Sequence, residues 1–376
     1  MGKIKMVDLH SQYIRIKSEI DYAVLKVLDS TAFIQGPDVS DFAQRLSAYL
    51  GGTNVIPCAN GTDALQIAMM ALELQPGDEV ILPVHTYVAT AEVIALLRLT
   101  PVFVDVDGDT FNIDVDEVVR KITKRTKAIV PVHLYGQCVD MEKLMDVAKQ
   151  HDLFVIEDAA QALGARLRFS NGSQNFAGTI GHIGCTSFFP SKNLGCFGDG
   201  GAIFTADTTR AQKIKMIANH GQEKKYHHDL IGVNSRLDTL QAAILSVKLK
   251  YFDDYNRSRN VVAGQYDVQL NGLTAITIPA RVNYSTHVFN QYTIKVSKGR
   301  DELKKYLEEQ GIPTMIYYPV PLHMQKAYSS FANGRGSFPV TEALSEQVLS
   351  LPMHTEMKEE DVQFIANVIK RFFGHE

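Results

Sequence analysis

Cysteine is scarce in this chain of 376 residues: there are four, Cys58, Cys138, Cys185 and Cys196, and none forms a Cys-x-x-Cys pair. That spacing excludes a zinc ribbon and a disulfide framework, and it reads as buried free thiols. His227-His228 is too compact to hold a metal without further ligands, so no metal is expected. An excess of basic charge is missing as well, with a formal net charge of -4. Nucleic-acid binders normally carry a basic face, and that class is set aside. No long apolar run is present, and Met1-Gly2-Lys3-Ile4-Lys5-Met6 leads into a polar amphipathic helix without the apolar centre of a signal peptide. The expectation is a cytoplasmic protein with no membrane partner. Asn171-Gly172-Ser173, Asn256-Arg257-Ser258 and Asn283-Tyr284-Ser285 then match the glycosylation pattern by chance. Internal repeats and low-complexity tracts are absent. So is a Gly-x-Gly-x-x-Gly after the first strand, which argues against a Rossmann dehydrogenase.

What is present is the material of an ordinary globular protein, 45% hydrophobic and 21% charged, long enough for one large and one small domain. A helix over 9–28, a turn at Phe33-Ile34-Gln35-Gly36-Pro37 and a second helix over 39–50 open the chain. Short β-branched runs follow at 54–59, 79–83, 101–106, 128–133, 153–158, 185–190 and 202–205, with helical patterns at 62–74, 90–99, 115–122 and 141–150 between several of them. Such alternation predicts an α/β fold, a mostly parallel sheet with helices on both faces. Leu237, Leu240, Ala243, Ile244 and Val247 recur at spacings of three and four, predicting a long helix from 236 to about 255, continuing toward 270. It joins a large domain, drawn as 1–250, to a smaller α+β domain, drawn as 251–376. The smaller domain is built from a strand at 291–296 and helices at 300–310, 341–349 and 359–373.

Three stretches carry chemistry. Ser187-Phe188-Phe189-Pro190-Ser191-Lys192 sets a lysine just past an apolar run, before Gly195, Gly198, Gly200 and Gly201, which would let the backbone turn tightly. A lysine is a nucleophile only when its amine loses a proton, which partial burial favours; alone, Lys192 reads first as a solvated surface residue, and the case rests on what else the chain supplies. Glu157-Asp158-Ala159-Ala160-Gln161 puts a carboxylate at the carboxyl end of a parallel strand, where open α/β sheets hold their ligands. Asn60-Gly61-Thr62-Asp63 starts a helix, whose free N–H groups suit a phosphate. Lysine, acid and phosphate cradle together point to pyridoxal 5'-phosphate, whose aldehyde wants a lysine and whose pyridine nitrogen wants an acid.

These motifs, in the order Gly61-Thr62, Thr86-Tyr87-Val88-Ala89-Thr90, Glu157-Asp158-Ala159-Ala160-Gln161, Ser187 with Lys192, and Gly232-Val233-Asn234-Ser235-Arg236, resemble the DegT/DnrJ/EryC1/StrS family of nucleotide-sugar aminotransferases. The resemblance runs from Asp8-Leu9 through Leu351-Pro352 and implies the aspartate aminotransferase fold, also called fold type I. It implies that Lys192 holds the cofactor and shuttles a proton, and that Asp158 pairs with the ring nitrogen. Gln161 would contact the phenolic oxygen, Tyr87 stack on the ring, and Gly61, Thr62 and Ser187 bind the phosphate. Asn234 would reach that phosphate from the partner subunit of a homodimer. Each residue has a plainer reading: Asp158 a helix cap, Gly61-Thr62 an ordinary helix start, Tyr87 core, Gln161 polar surface. Tyr226, within Lys224-Lys225-Tyr226-His227-His228, and Tyr317 with His323 are candidate substrate contacts, while His133 is a packed histidine or a cofactor neighbour.

The run from Gly232 to Ala243 looks closer to members that aminate dTDP-linked 3-keto-6-deoxyhexoses, with glutamate as the usual donor, than to those acting at carbon 4. The rivals are a 4-keto sugar aminotransferase, a sugar dehydratase of the same fold, and a regulatory relative that binds the cofactor without turnover. The dehydratase would carry histidine where Lys192 stands, and the regulatory protein would lack the lysine, the acid or the phosphate motif.

Overall fold

The computed structural model describes residues 4–332 and 334–374; Met1 to Lys3, part of the segment read above for a signal, lie outside them. Seven strands form the main sheet, in the order Asn54–Cys58, Gly201–Thr205, Ile183–Ser187, Phe154–Asp158, Thr126–Ile129, Glu79–Pro83, Thr100–Val104. Gly201–Thr205 runs antiparallel to both its neighbours, and the other pairings are parallel. Strands covered on both faces read as continuous apolar runs, and Glu79–Pro83 is buried at all five positions. Its side chains alternate between two cores. Val80 and Leu82 join Ala128, Val130 and Ile156 beneath the helix Gly61–Ala71, whereas Ile81 joins Ile129 and Val155 beneath Met141–Gln150.

The sheet is mostly parallel with helices on both faces, as the alternation predicts. A three-stranded antiparallel sheet, Ile276–Thr277, Tyr292–Val296 and Val348–Leu351, packs with the helices Phe252–Leu270, Arg300–Glu309 and Glu359–Phe372 around Tyr266, Phe289, Leu303, Leu307 and Ile365. Ile4 also packs against this carboxyl-terminal core.

Several local expectations differ from what forms. The first helix is two, Leu9–Arg15 and Lys17–Ser30, broken at Ile16. The long connecting helix is also two, Thr239–Leu249 and Phe252–Leu270, because the chain turns at Lys250-Tyr251 and sends Phe252 into the large core. Residues 341–349 are not one helix: Pro339 starts the helix Pro339–Gln347, and Val348–Leu351 is a buried strand paired with Tyr292–Lys295. The strand expected over 185–190 is Ile183–Ser187. Gly195, Gly198, Gly200 and Gly201 do not adopt left-handed conformations. Their need is close approach: a Cβ on Gly195 would lie 2.4 Å from the Pro190 carbonyl oxygen, and one on Gly201 would lie 2.5 Å from the Asn60 carbonyl.

Candidate active site

Lys192 stands in the turn after the Ile183–Ser187 strand, where its backbone N–H donates to the Phe189 carbonyl at 2.8 Å. The turn is tied on both sides. Asn193 donates to Asn256 Oδ1 and to the Val288 carbonyl, each at 2.8 Å, and accepts from Asn290 Nδ2 at 3.0 Å. Lys248, from the helix Thr239–Leu249, donates to the Gly195 carbonyl. Held this way, Lys192 is desolvated: burial pushes its ammonium down to about 8, while the negative charge of Asp158 works in the opposite direction. A lysine near neutrality, in the field of one carboxylate, has the free amine that attack on an aldehyde requires.

Asp158 ends its strand, is 8% exposed and is held at both oxygens. Thr90 Oγ1 donates to Oδ2 at 2.9 Å and the Ala160 N–H to Oδ1 at 3.1 Å. The second bond is an Asx turn that competes with helix, so no helical turn separates Asp158 from Gln161. Residues 159–165 instead form tight turns, closed by Ala162 N–H to the Ala159 carbonyl at 3.0 Å and Ala165 N–H to the Ala162 carbonyl at 2.9 Å. Gln161 Oε1 accepts the Tyr135 N–H at 2.7 Å, and Nε2 donates to the Tyr318 hydroxyl at 3.2 Å. One Nε2 hydrogen is left for a further acceptor. The neighbouring Glu157 points the other way, fully buried, accepting the N–H groups of Gly178, Ile180 and Gly181 at 2.9, 2.6 and 2.5 Å. His133 Nε2 lies 2.8 Å from Glu157 Oε2, and its Nδ1 accepts the Val139 N–H at 3.0 Å, which makes His133 a packed histidine.

The helix Gly61–Ala71 begins beside Ser187. Asn60 caps it by accepting the Asp63 N–H at 2.8 Å, and a Cβ on Gly61 would sit 2.8 Å from Ser187 Cβ. Gly61, Thr62 and Ser187 thus share one corner at the carboxyl end of the sheet, with free N–H groups and a hydroxyl. Ser235 Oγ accepts the Ala59 N–H at 3.0 Å, and the preceding Asn234 is exposed.

Tyr87 is 57% exposed and therefore not core; its ring lies 6.2 Å from that of Tyr318. Tyr317 is half-buried, and its carbonyl accepts the Tyr135 hydroxyl. Tyr226 sits at the exposed tip of the hairpin Gln222–Lys224 and His227–His228. His323 is buried against Phe338, with Nε2 3.1 Å from Glu342 Oε1. Its hydrogen bond is to Glu342 and not to Lys192, Asp158 or Gln161. Sequence reasoning missed Thr90, Tyr135 and Tyr318. Thr90 closes the Thr86-Tyr87-Val88-Ala89-Thr90 motif and Tyr318 follows the candidate Tyr317, but a string does not say which member of Tyr317-Tyr318 will meet Gln161.

The residues fit pyridoxal phosphate on three counts: a desolvated lysine under one carboxylate's influence, a glycine-lined corner that a Cβ would fill, and a glutamine with a spare donor. All four cysteines are buried and free. Among the described residues there is no cluster of metal-binding side chains, and no helix is long and apolar enough to cross a membrane.

Comparison with known proteins places this geometry. The chain is 45% identical over 374 residues to a pleiotropic regulatory protein of Geobacillus stearothermophilus, covering 99% of each. It is 45% identical over 362 residues to a UDP-2-acetamido-2-deoxy-3-oxo-D-glucuronate aminotransferase of Pseudomonas aeruginosa, covering 96% of this chain and 98% of that one. The structure of S. venezuelae DesV superposes with a TM-score of 0.95 at 38% identity, covering 99% of both chains. The model of the DegT/DnrJ/EryC1/StrS aminotransferase family matches residues 14–370, and the chain belongs to that family.

Proposed function

We propose that the protein moves an amino group from glutamate to a nucleotide-linked 3-keto sugar, a dTDP-linked 3-keto-6-deoxyhexose, using the pyridoxal phosphate of its family. The observation that carries this reading is Lys192, desolvated to about 8 yet in the field of Asp158, at the carboxyl end of the sheet. The bound cofactor supplies an electron sink for the bonds broken at the substrate carbon. Lys192 Nζ would hold it covalently and, once freed by the incoming amine, would carry a proton from the donor carbon bearing the nitrogen to the carbon on the other side of that nitrogen. Asp158 keeps a proton on the ring nitrogen and is itself oriented by Thr90. Gly61, Thr62 and Ser187 bind the phosphate, Gln161 turns its spare N–H toward the phenolic oxygen, and Tyr87 offers its exposed face to the ring. Asn234, exposed on its segment, completes the phosphate site of a second copy, so the active form is a cytoplasmic homodimer with shared sites.

Amination at carbon 3 is supported by the Pseudomonas relative, whose name specifies a 3-oxo sugar linked to UDP. Product analysis with 3-keto and 4-keto sugars, each linked to dTDP and to UDP, tests both choices. Amination of the dTDP-linked 3-keto sugar is expected; amination only at carbon 4, or only of UDP-linked sugars, overturns the respective part.

The name of the Geobacillus relative favours a second reading, a cofactor-binding regulator without turnover. Adding pyridoxal phosphate and then glutamate separates the two. Turnover predicts that the absorbance of the lysine-bound cofactor appears and then gives way to that of the aminated cofactor, whereas a regulator would show no response to glutamate.

A further inference from the structure

His85 lies two residues past the Glu79–Pro83 strand and two before Tyr87, with its ring only 1% exposed. Its Nε2 is 3.3 Å from the Tyr135 hydroxyl, and its ring stands edge-on to Tyr318 at 6.1 Å. The Tyr135 hydroxyl has a single proton and donates it to the Tyr317 carbonyl. The imidazole must then be the donor of its pair with Tyr135: Nε2 carries the hydrogen and Nδ1 is a bare acceptor. That Nδ1 is buried and has no partner among the described residues. Burial pushes His85 down to about 4, so the ring is neutral near pH 7. A buried acceptor left unpaired is destabilising, and a phenyl ring in the same place would avoid it.

What the imidazole provides in return is visible at the far end of the chain of bonds. Tyr135 touches both sides of one junction: its backbone N–H orients Gln161, and its hydroxyl holds the carbonyl of Tyr317. The next residue, Tyr318, meets Gln161 Nε2 at 3.2 Å and stands beside the exposed Tyr87. Fixing the rotation of the Tyr135 hydroxyl therefore fixes the loop that presents Tyr318 to the cleft.

We propose that His85 is a positioning residue for the sugar substrate: its Nε2–H, acting through the Tyr135 hydroxyl and the Tyr317 carbonyl, sets the Tyr318 hydroxyl beside Gln161. The proposal rests on the aminotransferase reading above. His85→Phe removes the donor and the unpaired Nδ1 together, and His85→Gln keeps an N–H near the Nε2 position. In His85→Phe the unfolding midpoint holds or rises, covalent capture of pyridoxal phosphate is unchanged, and KM for the nucleotide sugar rises about tenfold, the equivalent of about 1.4 kcal/mol. His85→Gln brings KM back to within about twofold of the parent. An unchanged KM in His85→Phe overturns the proposal, as does a KM defect with an equal loss of cofactor capture in both variants, which would mark His85 as merely structural. Crystal structures of the two variants give a readout that needs no sugar. The Tyr318–Gln161 bond is kept in His85→Gln and lost in His85→Phe, and its survival in both would sink the idea. Failure of the function itself looks different, since the parent protein would then aminate no nucleotide-linked keto sugar.

Discussion

Two lysines flank one turn of this chain, and burial pushes both down to about 8. Lys248 is 1% exposed on the helix Thr239–Leu249, donates to the Gly195 carbonyl and lies 5.5 Å over the ring of Phe197. The charge nearest it is the Arg259 guanidinium, since burial pushes the Cys196 thiol up to about 11 and leaves it neutral, and among the described residues no carboxylate answers it. Lys192, three residues before Gly195, is half-buried and feels Asp158. A depressed lysine therefore reports only that water has been removed. Whether the amine works or braces depends on what stands opposite it: for Lys192 a carboxylate, for Lys248 a backbone carbonyl and an aromatic face.

The sharpest way to break that contrast is Lys192→Ala. Turnover falls by about 10³-fold or more, and covalent capture of pyridoxal phosphate disappears. Borohydride reduction of the loaded parent followed by peptide mass analysis should place the label on Lys192; label on Lys248 would erase the distinction. Asp158→Asn comes next, with a loss on the order of 10²-fold in turnover. It also removes the charge that holds the Lys192 cation up. Capture needs the neutral amine, so its rate climbs with pH through the Lys192 value. The midpoint, about 8 in the parent, moves lower in the variant, and an unmoved midpoint would show that Asp158 does not reach the amine.

The smallest effect is expected from Lys248→Met, and it is one of stability. The folded-state value, about 8, lies below the 10.5 of a solvated lysine, so burying the cation is costly in full below pH 8. That cost fades as the pH rises toward 10.5. The variant should be more stable by about 1–3 kcal/mol at pH 7, after loss of the bond to Gly195, with the gain shrinking by pH 9.5. Urea unfolding of both proteins at the two pH values measures it. A destabilised variant at pH 7 would mean that the Gly195 bond outweighs the buried charge.

The same contrast recurs at the end of the Phe154–Asp158 strand. Glu157 and Asp158 are adjacent acids, and strand alternation alone requires them to face opposite ways. Only packing shows that Glu157 is taken up by the 178–181 loop and His133. The motif containing both was legible; the division of labour within it came from the family resemblance. Element limits such as 79–83 and 141–150 were legible because apolar periodicity is a local property. The breaks at Ile16 and Lys250-Tyr251 were not, since an apolar stripe continues across a bend whose cause lies in a second layer. Val348 and Leu349 fall in the helix expected over 341–349 for a similar reason: the four apolar or small residues Val348–Leu351 become strand only once Tyr292–Val296 lies alongside.

By itself the sequence determined the run of buried strands and covering helices, and it marked Lys192, Asp158 and Gly61 at the ends of those elements, because burial period and turn chemistry act over a few residues. Only the tertiary structure decided which of two desolvated lysines meets an acid, and that Tyr318 as well as Tyr317 joins the Gln161 network. Those choices depend on residues 34 and 157 positions apart being brought together, and no local pattern records which distant partner a folded chain will bring.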